Sequence, residues 1–76
     1  MNGQNVQGIN KIFDEVIQRH NIKNDSQLSY FLLVAPPIIS KHRHGHLPIG
    51  DSMILRLHER GGLPVAYIRK LLKEGK

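Results

Sequence analysis

The stretch Gln27-Leu28-Ser29-Tyr30-Phe31-Leu32-Leu33-Val34-Ala35-Pro36-Pro37-Ile38-Ile39-Ser40-Lys41-His42-Arg43-His44-Gly45 decides the fold. Just before it, Asn24 can accept from the amide of Gln27 while the Gln27 side chain reaches back, a variant of the capping box. A helix is therefore predicted from about Asp25 to Leu32, with Leu28, Phe31 and Leu32 turned inward. Pro36-Pro37 ends that helix and opens another, because the residue before a proline is pushed out of the α region while proline itself is tolerated in a first turn. Pro37 reads as the better first helical residue, and the next helix is predicted to span about Pro37 to His44, with Gly45 as its left-handed stop. Only Leu33 to Pro36 separate the two helices.

Outward from this pair, the rest of the chain also reads as helix. Ile9, Ile12, Phe13, Val16 and Ile17 recur at the spacing of one helical face, with Lys11, Asp14, Glu15, Gln18 and Arg19 on the other, and Asn21 is a left-handed stop. Downstream, Leu47-Pro48-Ile49-Gly50 is a connector, and Asp51 or Ser52 caps a fourth helix that turns Met53, Ile54 and Leu57 inward and ends at Gly61-Gly62. Pro64 opens a fifth, with Val65, Ile68, Leu71 and Leu72 on one face and Arg69, Lys70 and Lys73 outside. No segment alternates with period two, and no internal repeat is evident. The prediction is an all-α, compact five-helix domain over residues 9–74, preceded by a flexible leader over residues 1–8.

Composition narrows the function classes. With 76 residues the chain has room for one small domain, and it holds no cysteine, which removes disulfides, thiolate zinc sites and cysteine nucleophiles. No apolar run approaches the ~18–20 residues that span a bilayer, and the polar start lacks the regions of a signal peptide. A cytoplasmic location, with no membrane partner, is the expectation. Eleven Lys and Arg against six Asp and Glu give a net charge of +5, which favours polyanionic partners without choosing among them. Lys41, Arg43, Arg56 and Arg60 fall in the middle of the chain together with four of its five histidines.

The two central helices and their short connector have the geometry of a helix-turn-helix unit. The quoted stretch resembles the motif of lambda-repressor-like DNA-binding domains of the phage repressor and Cro type. That family keeps the buried positions of the motif apolar, as Leu28, Leu32, Val34 and Ile39 are here, and Ser40-Lys41 and Gly45 match the usual end of its recognition helix. The resemblance covers about residues 9–74. Five positions depart from it: Ser29 replaces a small Ala, Leu33 replaces the Gly of the turn, Ala35 and Pro36 replace a Ser or Thr cap and a base-reading Gln, and His42 replaces an inward apolar residue. A side chain at position 33 must accept a left-handed backbone, at a cost of about 1 kcal/mol, or reshape the turn. At position 42, the apolar precedent makes His42→Ile an expected stabilising change.

The resemblance implies a sequence-specific, duplex-DNA-binding transcriptional regulator, a bacterial or phage repressor that occupies an operator as a homodimer and performs no chemistry. Lys41 is the candidate for a guanine or phosphate contact, Ser40 for a base or phosphate, and His44 or Arg43 for the backbone, while Pro37 and Ile38 offer apolar contact, for example to a thymine methyl. Gln27, Pro36 and His46 complete the expected DNA-contacting set. The apolar surface of Tyr67, Leu71 and Leu72 exceeds what one small core needs and is the expected dimer face. Histidines beside phosphates would make affinity rise as pH falls toward 6.

Other readings have less behind them. His42 and His44 point about 200° apart on a regular helix and cannot chelate together, so no metal or other cofactor is expected. No nucleophile, base and orienting group are arranged for catalysis, so no enzyme is expected. The alternative to a repressor is an antitoxin or other protein-interaction module on the same fold, whose last helix or leader grips a toxin.

Overall fold

The structure, a computed structural model, describes residues 4–73. Helices form at α1 (Val6–His20), α2 (Asp25–Leu32), α3 (Pro36–Arg43), α4 (Asp51–Glu59) and α5 (Val65–Lys73), and no strand occurs among the described residues. The all-α architecture expected from the periodicity is present. α1 is the spine, packing along α5 and α3 and touching α2, while α2 packs on α3 and α4 on α5. Ile9, Ile12, Phe13 and Val16 of α1 meet Leu28, Leu32, Ile39, Leu57, Leu63 and Ile68 in one buried cluster. Among the described residues no helix is long and apolar enough to cross a membrane.

α1 begins three residues before the expected Ile9, because residues ahead of it are tied to distant parts of the chain. The Asn5 side chain accepts from the amide of Gln7 at 3.2 Å and caps the helix, while the Asn5 amide donates to the Leu72 carbonyl at 3.0 Å. The Gln4 amide group exchanges hydrogen bonds with the backbone of Ile49 in both directions, at 2.9 and 2.6 Å. The leader expected over residues 1–8 is therefore shortened: from Gln4 onward the chain is anchored, and residues 1–3 and 74–76 lie outside the described residues. Gly8 explains how α1 and α5 come so close, since a Cβ built there would stand 2.0 Å from the Leu71 carbonyl oxygen.

Each of the first four helices is stopped by a left-handed residue: Asn21, Leu33, Gly45 and Gly62. At Leu33, with φ 63° and ψ 41°, the chain takes the first of the two options open to it, keeping the turn and accepting the backbone strain. Leu33 N–H donates to the Tyr30 carbonyl and Val34 N–H to that of Ser29, the hydrogen-bond pair of a Schellman stop, with leucine in the position glycine usually holds. Ser29 is fully buried and gives its hydroxyl to the Ser26 carbonyl at 2.6 Å, so it fits where a smaller alanine was the precedent. At α2's start the Asn24 side chain accepts from the Gln27 amide at 2.9 Å, the cap read from the sequence. At α4 the cap is Gly50 rather than Asp51 or Ser52, and Asp51 instead lies in the first turn, where its charge meets the positive end of the helix.

A repeat does exist, on a scale too short for periodicity to reveal. His42-Arg43-His44-Gly45-His46-Leu47-Pro48 and His58-Glu59-Arg60-Gly61-Gly62-Leu63-Pro64 share the pattern His-x-x-Gly-x-Leu-Pro. In both copies the histidine Nδ1, in the last turns of a helix, donates to the leucine carbonyl five residues on, at 2.8 Å. The same device thus folds the chain back at the ends of α3 and α4, and proline then directs it onward. Long side chains fasten the remaining helix ends. Arg56 donates to the Leu32 and Leu33 carbonyls and Arg60 to that of Phe31, closing the C-terminus of α2 from α4, while Arg19 and His20 reach Gly62 and Gly61 from α1.

Gly8→Ala is expected to lower stability by about 2–3 kcal/mol in urea denaturation, because the added methyl has a backbone carbonyl and not a flexible side chain to displace. Leu33 is 60% exposed, so Leu33→Gly forfeits little burial and relieves the left-handed strain. The same measurement should find Leu33→Gly neutral or stabilising by up to about 1 kcal/mol, the chain entropy of glycine offsetting part of the relief.

Candidate nucleic-acid interface

α3 has two chemically different sides. Ile39 and His42 are buried and Arg43 is largely covered, whereas Pro36, Pro37, Ser40 and Lys41, and His44 just past the helix, are exposed. The exposed set is spaced at three and four residues and so forms one continuous stripe. Ile38, expected on this surface, is half-buried against the core and offers only part of its side chain. Gln27 is exposed in the first turn of α2, outside the stripe. His46 extends the stripe beyond the helix, its ring lying near parallel to that of His44 with centroids 6.1 Å apart. His44 Nδ1 donates to the Ser40 carbonyl at 2.8 Å, which fixes the ring and leaves Nε2 as the nitrogen outside that bond. Lys41 has no carboxylate within ion-pair distance among the described residues.

The helix start follows from its prolines. Ala35, at φ −70° and ψ 142°, is held extended by the proline after it and supplies no side-chain cap. Pro36 and Pro37 carry no N–H, and the next amide, Ile38, is bonded to the Ala35 carbonyl at 3.0 Å. The first turn of α3 thus has no free backbone donor at residues 36–38 to give to a phosphate.

Arg43 is placed differently from the expectation of a DNA-backbone contact. Its guanidinium grips both carboxylate oxygens of Asp25 at 2.8 and 3.0 Å, bonds Asp14 at 3.0 Å and Asn10 at 2.6 Å, and lies over the Phe13 ring. Asn10 returns a bond to the Arg43 carbonyl at 3.1 Å. One side chain thereby joins α1, α2 and α3. Burial opposes its charge, but the hydrogen bonds and charges of Asp25 and Asp14 outweigh that and hold its pKa above the ordinary value. Asn10, Asp14 and Asp25 share no sequence spacing with Arg43, so no sequence signal marked this cluster.

His42 is only 3% exposed and donates Nδ1–H to the Leu47 carbonyl, with its ring 6.0 Å from that of Phe13. Burial lowers its pKa from 6.5, and the bond to Leu47 recovers part of the shift. The polar partner overturns the expectation that isoleucine would be better here, since an apolar side chain would strand the Leu47 carbonyl.

The proposed dimer face is also reassigned by position. Leu71 and Leu72 are buried against the chain's own core, and Tyr67 is half-buried, with its hydroxyl donating to Glu15 of α1. The apolar excess of α5 is absorbed by α1. No family model, curated protein or solved structure matches this chain.

His42→Ile is expected to cost about 1–3 kcal/mol by thermal or chemical denaturation. His42→Asn, which keeps an amide donor where Nδ1 stands, should cost less than His42→Ile. The pH dependence has a definite sign. With the folded pKa below 6.5, the unfolded chain takes up the proton first, so the His42 contribution is complete above about 6.5 and is lost as pH falls from there toward the lowered value. Melting temperatures measured between pH 7.5 and 5 should fall for the native chain, with a shallower decline in His42→Asn.

Proposed function

We propose that this chain is a sequence-specific regulator that binds duplex DNA by laying the exposed stripe of α3 in the major groove, in the manner of the lambda-repressor-like domains its sequence resembles. The observation that carries the reading is the stripe itself. An eight-residue helix whose inward side is fixed by Ile39, His42 and Arg43 presents Lys41, Ser40 and His44 together on the opposite side. α2, joined to it through Leu33, Val34 and Ala35, is the supporting helix of a helix-turn-helix unit in this reading. Lys41 contacts guanine or a phosphate, Ser40 a base edge or phosphate, and His44 and His46 follow the backbone. Repression is steric: an occupied operator excludes polymerase without any reaction being performed. A dimer on a two-fold operator belongs to this reading, with its interface away from Leu71 and Leu72.

A second reading, a protein-interaction module such as an antitoxin, draws on the exposed apolar side chains Tyr30, Leu33 and Leu55. The two separate on one substitution. Lys41→Ala should retain the native melting temperature and weaken binding to duplexes selected from random DNA. If Lys41 meets a base edge, the substitution costs about 1–3 kcal/mol of binding and blurs one position of the selected site. If it meets a phosphate, all duplexes weaken alike and the slope of log affinity against log salt falls in magnitude by about 0.9. Selection that enriches no duplex would remove the DNA reading.

A further inference from the structure

The leading end of α3 is chemically unusual for a helix that enters a groove. Ala35, Pro36 and Pro37 are exposed, contiguous with Ser40 and Lys41, and present only hydrocarbon. Their backbone adds nothing polar on the donor side, since neither proline has an N–H and the Ile38 amide is already bonded within the turn. The trailing half of the same stripe, at Ser40, Lys41 and His44, holds the groups able to form hydrogen bonds.

The edges of the base pairs in the major groove carry donors, acceptors and one kind of apolar group, the C5-methyl of a pyrimidine. An apolar surface pressed on a bare donor or acceptor removes water from it and returns no bond. Pressed on a methyl, it gains by excluding water from both. We propose that Pro36 and Pro37 read pyrimidine C5-methyl groups, so that the preferred duplex carries thymine, or 5-methylcytosine, beneath the start of α3. The inference rests on the DNA reading of α3 and names what that face selects. Sequence choice then divides along the helix: methyl contact at its leading end, hydrogen bonding and charge at Ser40, Lys41 and His44.

The test uses the full chain and a duplex selected from random DNA, resynthesised with deoxyuridine in place of thymidine one position at a time. This removes single methyl groups and leaves every Watson–Crick bond in place. Affinity should fall about fourfold for each methyl that faces the prolines and stay unchanged elsewhere. At those positions, 5-methylcytosine should bind more tightly than cytosine. In the double variant Pro36→Ser, Pro37→Ser, which replaces ring hydrocarbon by hydroxyls and is checked for an unchanged melting temperature, the thymine-to-uracil ratio should collapse toward one. If that variant loses its fold, Pro37→Gln supplies the same check, trading the methyl preference for adenine hydrogen bonding. Equal binding of thymine and uracil duplexes, with Lys41→Ala still weakening both, overturns the methyl reading and leaves the DNA reading standing. A methyl effect that persists in the proline variants overturns the assignment to Pro36 and Pro37. Failure to bind any duplex overturns both readings together.

Discussion

Among the described residues, four of the five helices span only eight or nine residues. Helices shorter than about 12–15 residues are marginal on their own in water, so here helix formation and tertiary packing cannot be separated. The molecule answers this constraint at the helix ends. α2 is closed by arginines from α4, α3 and α4 by their own histidines bonded to the connectors that follow, and α5 by the Asn5 amide. The arginines and the Asn5 amide satisfy carbonyls at helix ends that would otherwise be open, while the histidines satisfy carbonyls of the connectors and hold those connectors against the helices they leave. With a small core and no cysteine to staple it, these ends fix the angles at which the apolar faces meet.

The position of α3 depends most directly on this arrangement. Arg43 binds carboxylates on α1 and α2 at once, and its largely covered guanidinium with two bonds to Asp25 makes it more than a surface ion pair, in contrast to Arg69 and Asp51, which stand 3.8 Å apart and are both exposed. The charge seen in the sequence is thereby redistributed. Near α3, the Arg43 cation is neutralised by its partners, and Lys41 is left as the helix's outward charge. A cation that orients the helix and a cation that faces outward sit two residues apart on opposite sides of it.

Much of the fold was legible because it depends on local chemistry. The apolar spacing of α1, the Asn24 cap, the prolines before α3 and the stops at Asn21 and Gly45 all act within a few residues. The rest depends on partners brought together from afar. α1 starts early because Asn5 meets Leu72 and Gly8 meets Leu71, and neither meeting leaves a mark in a polar segment containing a glycine. His42 was legible as inward-facing but not as bonded, because its acceptor is a backbone carbonyl, which every residue possesses. The paired His-x-x-Gly-x-Leu-Pro segments were in plain view and gained meaning only when both histidines closed on the same carbonyl position. In the candidate interface, Ser40, Lys41 and His44 emerged on one face as their spacing implied, and Arg43 left it because three side chains on two other helices compete for it.

The bond between Asn5 and Leu72 closes the described chain on itself. The path that leaves along α1 returns along α5 to within one hydrogen bond of its start, making the polypeptide in effect a ring with a single gap. That gap is close to the turn after α3, where Val6 lies under Gly45. Rings of this kind can be reopened at another loop or inserted whole into a host protein with little disturbance to their interior. Whatever polypeptide is joined at either side of the gap departs from the same corner of the molecule, beside the helix that carries the outward stripe.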